Sequence, residues 1–261
     1  MLSNHIRKTI LKMINSSGAG HIGSALSMVE ILDSIFSTID IEKIKNKQND
    51  RDRIILSKGH GAAGLYATMF HYGLLTESDI SSYFKDDTLL AGHATHHAPY
   101  VEHSTGALGH GLPVGVGIAI GLKRLKINSR VFVVLGDGEM HEGANWEAIM
   151  YAGHHKLSKL ILFIDMNNLS QVGIVDECCT LEPITNKFES FNFNVHEVNG
   201  HDKQEISKVL EISKNLSKPT VIICRTVKGK GISYMENNIL WHYKCPKDDD
   251  YEKAVKELGE N

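Results

Sequence analysis

The turn Gly136-Asp137-Gly138-Glu139 and the amide pair Asn167-Asn168 hold the residues of this chain best suited to bind a charged ligand. A carboxylate and an amide oxygen suit Mg²⁺, a hard cation that takes oxygen ligands in near-octahedral geometry at roughly 2.0–2.1 Å and completes its shell with water and phosphate oxygens. Both groups fall where a strand should end. Arg130-Val131-Phe132-Val133-Val134-Leu135 is a short apolar run stopped by the glycines, the pattern of a strand buried in a parallel sheet. Residues 144–152 are good helix formers, and Leu160-Ile161-Leu162-Phe163-Ile164-Asp165 reads as the next strand. Strand, helix and strand make a right-handed crossover. Ligands in such sheets bind outside the carboxyl ends of the strands, which is where Asp137 and Asn167 belong. Taken alone, Asp137 could cap the following helix and the asparagines could form a turn.

The surrounding blocks decide between these readings. The Gly-Asp-Gly to Asn-Asn pattern resembles the thiamine diphosphate motif, and six blocks in order narrow the resemblance to the transketolase family: Ala19-Gly20-His21-Ile22-Gly23, Leu56-Ser57-Lys58-Gly59-His60-Gly61, Gly92-His93, Ser104-Thr105-Gly106-Ala107-Leu108-Gly109, Glu142-Gly143, and Lys228-Gly229-Lys230-Gly231 with Trp241-His242. The resemblance implies that Asp137 and the Asn167 side chain hold Mg²⁺, with the backbone carbonyl of Leu169 as a third ligand. It implies that Gly138 lets the backbone approach the phosphates and that Glu139 belongs to the cofactor-binding turn. His60 and His242 would face the diphosphate and the substrate, and His21 and His93 the substrate's carbonyl and hydroxyl groups. His21, His93 and His242 form the implied catalytic set. Gly106 and Leu108 would line the cofactor, and residues 106–111 would open a helix whose amino end faces phosphate, a favourable position for an anion. Glu142 would lie near a subunit contact.

The implied activity is transfer of a two-carbon ketol unit from a ketose to an aldose. Each addition and cleavage moves a proton, and histidine, with an ordinary pKa of about 6.5, can carry one at neutral pH. The cofactor supplies the electron sink, and the protein supplies placement, charge and exclusion of water. In this family the carboxylate that activates the aminopyrimidine, and the aromatic residues stacked on that ring, belong to a second domain. The expectation is therefore the amino-terminal subunit of a split transketolase, working with a separate pyrimidine-binding subunit in an α₂β₂ assembly. The alternatives are another thiamine diphosphate enzyme, of the deoxyxylulose-phosphate synthase or dehydrogenase type, and a non-catalytic relative binding a ligand or metal.

Two other patterns lead elsewhere. Gly18-Ala19-Gly20-His21-Ile22-Gly23 fits a dinucleotide fingerprint, but residues 6–14 before it have helical spacing where that fingerprint needs a strand. His93, His96, His97, His103 and His110 could bind zinc by residue type, yet their spacing fits no zinc pattern. The family usually has proline at the positions of Ile22 and Ala94 and glutamine at that of His110. These departures fall in segments expected to face the substrate, and His96, His97 and His110 could suit an unusual sugar.

The elements that must position these residues form a single α/β domain over residues 1–261, a parallel sheet with helices on both faces in the thiamine diphosphate-binding fold. A chain of 261 residues with 42% hydrophobic content and 23 glycines can bury a large core beneath tight loops. Residues 54–56, 194–198 and 220–225 read as further strands, residues 42–53 as a solvated loop and residues 247–261 as a charged helical tail. A net charge of −3 gives no electrostatic reason to expect nucleic acid or a membrane. The amino terminus lacks a signal peptide's apolar segment, so a cytoplasmic location is expected. The four cysteines form no disulfide framework, and Cys178-Cys179 reads as a reduced structural pair.

Overall fold

The apolar stretches expected as strands pair into one sheet in the computed structural model, which describes residues 2–259. The strands are β1 (Arg53–Leu56), β2 (Val131–Gly136), β3 (Leu160–Met166), β4 (Asn194–Asn199) and β5 (Thr220–Arg225), in the order β1-β2-β3-β5-β4. Every pair is parallel, with Gly136 beside Asp165 and Asp165 beside Cys224. Four helices precede the sheet: α1 (Leu2–Ser17), α2 (Ile22–Leu26), α3 (Val29–Phe36) and α4 (Ile41–Lys45). Between β1 and β2 lie α5 (Ala62–His71), α6 (Glu77–Ser81) and α7 (Gly111–Arg124), and between β2 and β3 lies α8 (Gly143–His154). Then come α9 (Val175–Cys179) and α10 (Ile184–Ser190) before β4, α11 (Lys203–Ser213) before β5, and α12 (Asp248–Glu257) after it.

Alternation along the strands divides the core in two. Phe132, Val134, Ile161, Phe163 and Ile222 pack on one face with residues of α1, α3, α5 and α11. Val131, Val133, Leu162, Ile164 and Ile223 pack on the other with α7, α8 and α10. A strand covered on both faces has no solvated side, which is why β2 and β3 are continuous apolar runs. The run 42–53 departs from the expected loop at its start. Asp40 caps α4 by accepting the Lys43 amide at 3.2 Å, and Ile44 is buried, so a short helix forms before the exposed segment 45–50. The charged tail is helical over α12, and its residues 260 and 261 lie outside the described residues. Gly18 to Gly23 follow a helix, α1, so the dinucleotide fingerprint lacks its strand. Cys178 and Cys179 are free and exposed, which corrects their reading as a structural pair; a thiol at the surface packs nothing.

A buried ion network fixes the loop after β5. Arg7 on α1 grips Glu30 on α3 through two bonds of 2.7 and 2.8 Å, while its Nε donates to the Lys230 carbonyl at 2.9 Å. The His201 ring meets Glu30 at 3.1 Å and accepts the Val227 amide at 2.8 Å on its other nitrogen, so Nδ1 carries the hydrogen. Residues 227–230, and with them Lys228, are thus tied to the helical layer. Burial alone would raise the Glu30 carboxyl, but the His201 and Arg7 bonds outweigh it and hold its pKa down at about 2. Because the folded value lies below the unfolded one, the ionised network stabilises the fold above pH ~4.5 and is lost as pH falls towards 2. Glu30→Gln should therefore be least stable relative to the parent at neutral pH, with the gap closing between about pH 5 and 2, as urea midpoints across that range will show. A gap independent of pH would refute the role of the charge.

Candidate active site

Four segments far apart in sequence meet at the carboxyl end of the sheet, around a cavity of about 360 Å³. His21 lies just before α2, His60 in the 3-10 turn Gly59–Gly61, His93 in the long β1 to β2 connection and His242 at the end of the 3-10 turn Ile239–His242. The His21 ring stands 5.4 Å from His60, 5.5 Å from His93 and 5.1 Å from His242, centroid to centroid. His21 has left-handed backbone angles, φ 66°, and its amide donates to the His242 carbonyl at 2.7 Å. Such a conformation costs roughly 1–3 kcal/mol in a residue other than glycine and persists only where the surroundings enforce it.

Asp137 and Asn167 lie where β2 and β3 end, as expected. Asp137 is 3% exposed, and its carboxylate accepts the Gly138 amide at 2.7 Å and the Asn168 amide at 2.5 Å. Burial and the nearby Asp165 carboxylate push its pKa up. The Asp137 carboxylate and the Asn167 amide oxygen, both from residues in the cavity wall, are hard oxygen donors of the kind a divalent ion takes. The Leu169 carbonyl already accepts the Lys228 ammonium at 2.7 Å, and its second lone pair leaves room for another partner. Gly138 packs against the loop after β3: a Cβ there would meet the Ser170 side chain at 3.3 Å. Gly106 and Leu108 line the cavity, and Gly109, at φ +82°, turns the chain so closely over Glu142 that a Cβ would lie 2.5 Å from it. Glu142 is exposed at the cavity wall.

Glu139 is buried and lies in the wall of the same cavity. Its carboxylate accepts from Ser57 Oγ at 2.5 Å and from the Gly109 and Gly136 amides at 3.0 and 3.2 Å. It ties the Ser57 loop and the Gly109 turn to the end of β2. Ile22 and Ala94, two of the departures from the family pattern, are buried in the core and do not line the cavity. His96, His97 and His110 are absent from the cavity wall: His96 bonds Ser104 Oγ at 2.6 Å and stacks on His97, and His110 turns back to the Leu108 carbonyl at 3.0 Å. Among the described residues no group of three His, Cys, Asp or Glu side chains is placed to hold a metal, so the histidine cluster of residues 93–110 does not converge.

Two lysines that the motif reading left without a role lie in the cavity wall. Lys58 is 2% exposed and pairs with Asp165, which is fully buried and also accepts from Ser27 at 2.6 Å and from Thr226. Lys228, also 2% exposed, donates to Leu169 and to His242 Nδ1 at 2.9 Å. Burial and the Lys58 charge lower its pKa to about 8. The only sequence signal was a lysine inside each of two glycine-rich blocks, Lys58-Gly59 and Lys228-Gly229. The histidines answer to the same surroundings. Burial, then His93 and the two lysines, lower His21 to about 4; burial and Lys228 lower His242 to about 3; burial also lowers His60 and His93. All four cavity histidines are thus held below the ordinary imidazole value and are neutral at pH 7. The site presents ammonium groups and neutral imidazoles, a donor-rich surface suited to an anion with a polar organic part.

The whole chain, residues 1–261, matches the family model described as "Transketolase, thiamine diphosphate binding domain". It is 41% identical over 254 residues to one subunit of the apulose-4-phosphate transketolase of Actinobacillus succinogenes, covering 97% of this chain and 92% of that one. It is 34% identical over 259 residues to a 6-deoxy-6-sulfo-D-fructose transketolase subunit of a Clostridium species, covering 98% and 94%. The transketolase of Campylobacter jejuni superposes with a TM-score of 0.90 at 30% identity, over 98% of this chain and 42% of that one. That of Pichia stipitis in complex with sedoheptulose 7-phosphate superposes at 0.91 and 28%, over 99% and 40%. The chain therefore spans about two fifths of these solved transketolases. It belongs to the transketolase family, as a thiamine diphosphate-binding domain.

The Lys58–Asp165 pair is directly testable. Asp165→Ala leaves an ammonium and two hydroxyls buried without their acceptor, and should cost about 3–5 kcal/mol in urea unfolding. Adding Lys58→Met should restore part of the loss, with a coupling of about 1 kcal/mol or more. Strictly additive losses would show that the two charges do not depend on each other.

Proposed function

We propose that this chain is the diphosphate-binding subunit of a split, Mg²⁺-dependent transketolase, which moves a two-carbon ketol unit from a ketose to an aldose together with a separate pyrimidine-binding subunit. The observation that carries this reading is the convergence of His21, His60, His93 and His242 on a cavity floored by Asp137 and Asn167 and flanked by Lys58 and Lys228. Asp137, Asn167 and the Leu169 carbonyl would hold Mg²⁺, and Gly106, Leu108, Gly138 and His60 would line the diphosphate, with His242 between it and the substrate. Bound there, thiamine diphosphate supplies the electron sink for carbon–carbon bond cleavage. Neutral His21 and His93 would orient the ketose carbonyl and hydroxyls and take or return a proton at a ring nitrogen, while the cavity walls exclude water. The negative charge of a diphosphate beside these rings would draw their pKa values back up towards neutrality.

The relatives named as subunits are only slightly longer than this chain, which supports a separate partner for it, and α₂β₂ is the assembly we infer. Those relatives are named for a phosphorylated and a sulfonated sugar, so an anionic ketose is the substrate class favoured here. A cytoplasmic location accompanies the reading, supported by four free cysteines. Among the described residues no helix is long and apolar enough to cross a membrane.

With the partner present, thiamine diphosphate and Mg²⁺ should raise the melting temperature. Asp137→Ala or chelation of the metal should abolish that shift; cofactor binding of normal strength in the variant overturns the site. His21→Ala and His93→Ala should lower turnover about 10²–10⁴-fold with cofactor affinity nearly unchanged. The isolated chain should be inactive and gain ketol transfer on addition of the partner, followed by a ketose plus aldose assay on fractions sized by light scattering. Turnover by the chain alone refutes the split enzyme. A stable mixture that binds cofactor yet accepts no ketose points to a different thiamine diphosphate reaction.

A further inference from the structure

Three successive ring side chains, Trp241, His242 and Tyr243, leave the chain into three different settings. Trp241 is 3% exposed, and its indole Nε1 donates to the Tyr234 carbonyl at 3.1 Å, which roots the turn in the core. His242 lines the cavity. Tyr243 is 62% exposed and absent from the cavity wall, yet its ring stands 4.8 Å from that of His242 and 5.7 Å from that of His21, at 69° and 59°. It therefore packs on two of the site's imidazoles from outside the cavity. Its backbone is pinned as well: a Cβ on Gly20 would meet the Tyr243 carbonyl at 3.0 Å, and the His21 amide donates to the His242 carbonyl at 2.7 Å.

A second observation concerns the other end of the ring. The Tyr243 hydroxyl donates to Gln171 Oε1 at 2.7 Å, in the loop that follows β3. Gln171 lines the cavity, and among the described residues this is the only hydrogen bond its side chain makes. One tyrosine thus joins three segments: the turn Ile239–His242 that it follows, His21 at the start of α2, and the loop after β3. An exposed tyrosine can leave its hydroxyl in water. Here the hydroxyl instead holds an amide that would otherwise be free to rotate, and with Oε1 engaged the amide keeps its NH₂ as a donor for a ligand oxygen.

We propose that Tyr243 is a positioning residue of this site, a clamp whose ring fixes the His21 and His242 imidazoles and whose hydroxyl fixes the Gln171 amide. The clamp stands on the geometry alone, while its effect on turnover rests on the transketolase reading. Its two parts act on different steps. Proton transfer needs the imidazole nitrogens held in line with the reacting atoms, so the ring governs kcat. The amide donor helps hold the sugar, so the hydroxyl governs the ketose KM.

Tyr243→Phe keeps the ring and removes the hydroxyl, and Tyr243→Leu removes both. With the partner subunit, cofactor and Mg²⁺ present, the Phe variant should raise the ketose KM about threefold to tenfold, the loss of one hydrogen bond, with kcat close to the parent's. The Leu variant should show the same rise in KM and lower kcat about tenfold or more. A tyrosine that only stabilised the fold would reduce the active fraction, so kcat alone would fall in both variants; that result, or parental constants in both, overturns the proposal. Spectra of the ¹⁵N-labelled chain alone give a reading that needs no turnover. Tyr243→Phe should shift the Gln171 side-chain amide signals, and Tyr243→Leu should also shift the ring nitrogens of His21 and His242 while those of His71 on α5 stay in place. Unmoved Gln171, His21 and His242 signals refute the clamp. Moved signals in a chain whose parent is inert with its partner support the clamp and count against the transketolase reading.

Discussion

One carboxylate that water does not reach holds the catalytic end of this molecule together. Asp165 stands near the end of the central strand β3, fully buried, and binds Lys58 from the loop after β1, Ser27 from the link between α2 and α3, and Thr226 from the loop after β5. Each of those segments carries a site residue within six positions: His60 follows Lys58, His21 precedes Ser27, and Lys228 follows Thr226. Asp165 itself is two residues from Asn167. Burial alone would raise its pKa, yet the Lys58 charge and three hydrogen bonds hold it lowered and ionised. An ion pair of this kind adds little net stability over a well-packed apolar pair. Its value here is geometric, since four loops that share no sequence neighbourhood acquire one common reference point.

Glu139 does the same work a layer away. Also buried, it ties the Ser57 loop to the Gly109 turn and to the end of β2. Burial raises its pKa, and its partners are a hydroxyl and two amides rather than a cation. The two acids thus divide the labour. Asp165 locates the side chains that carry positive charge, and Glu139 locates the glycine-rich backbone that passes close to a ligand.

The electrostatics of the cavity follow from this framework. Lys58 has its counter-charge, whereas Lys228 reaches carbonyls and the His242 ring but no carboxylate within bonding distance. Asp137, close by, is an acid with raised affinity for its proton. An unpaired ammonium, a reluctant carboxylate and four suppressed histidines are mutually consistent if a metal ion and a polyanion complete the site together: the cation relieves Asp137, and the anion relieves Lys228 and the rings. The donors of the cavity fit that pair better than either ion alone.

The strands and the acidic turn were legible in the sequence because their signals are local. An apolar β-branched run stopped by glycine reads as a buried strand wherever it occurs, and all five strands lie within a residue or two of their expected positions. The order of the glycine and histidine blocks likewise named the family. Three matters needed the folded chain. That His21, His60, His93 and His242 share one cavity follows from crossovers spanning more than two hundred residues, and no spacing rule encodes it. That those histidines are neutral depends on burial and on Lys58 and Lys228, whose charges act through space. And that Ile22, Ala94 and His110 stay out of the cavity depends on which way a side chain leaves a helix or loop. Sequence sets composition and period along the chain; dielectric, charge proximity and side-chain direction exist only once distant segments have packed.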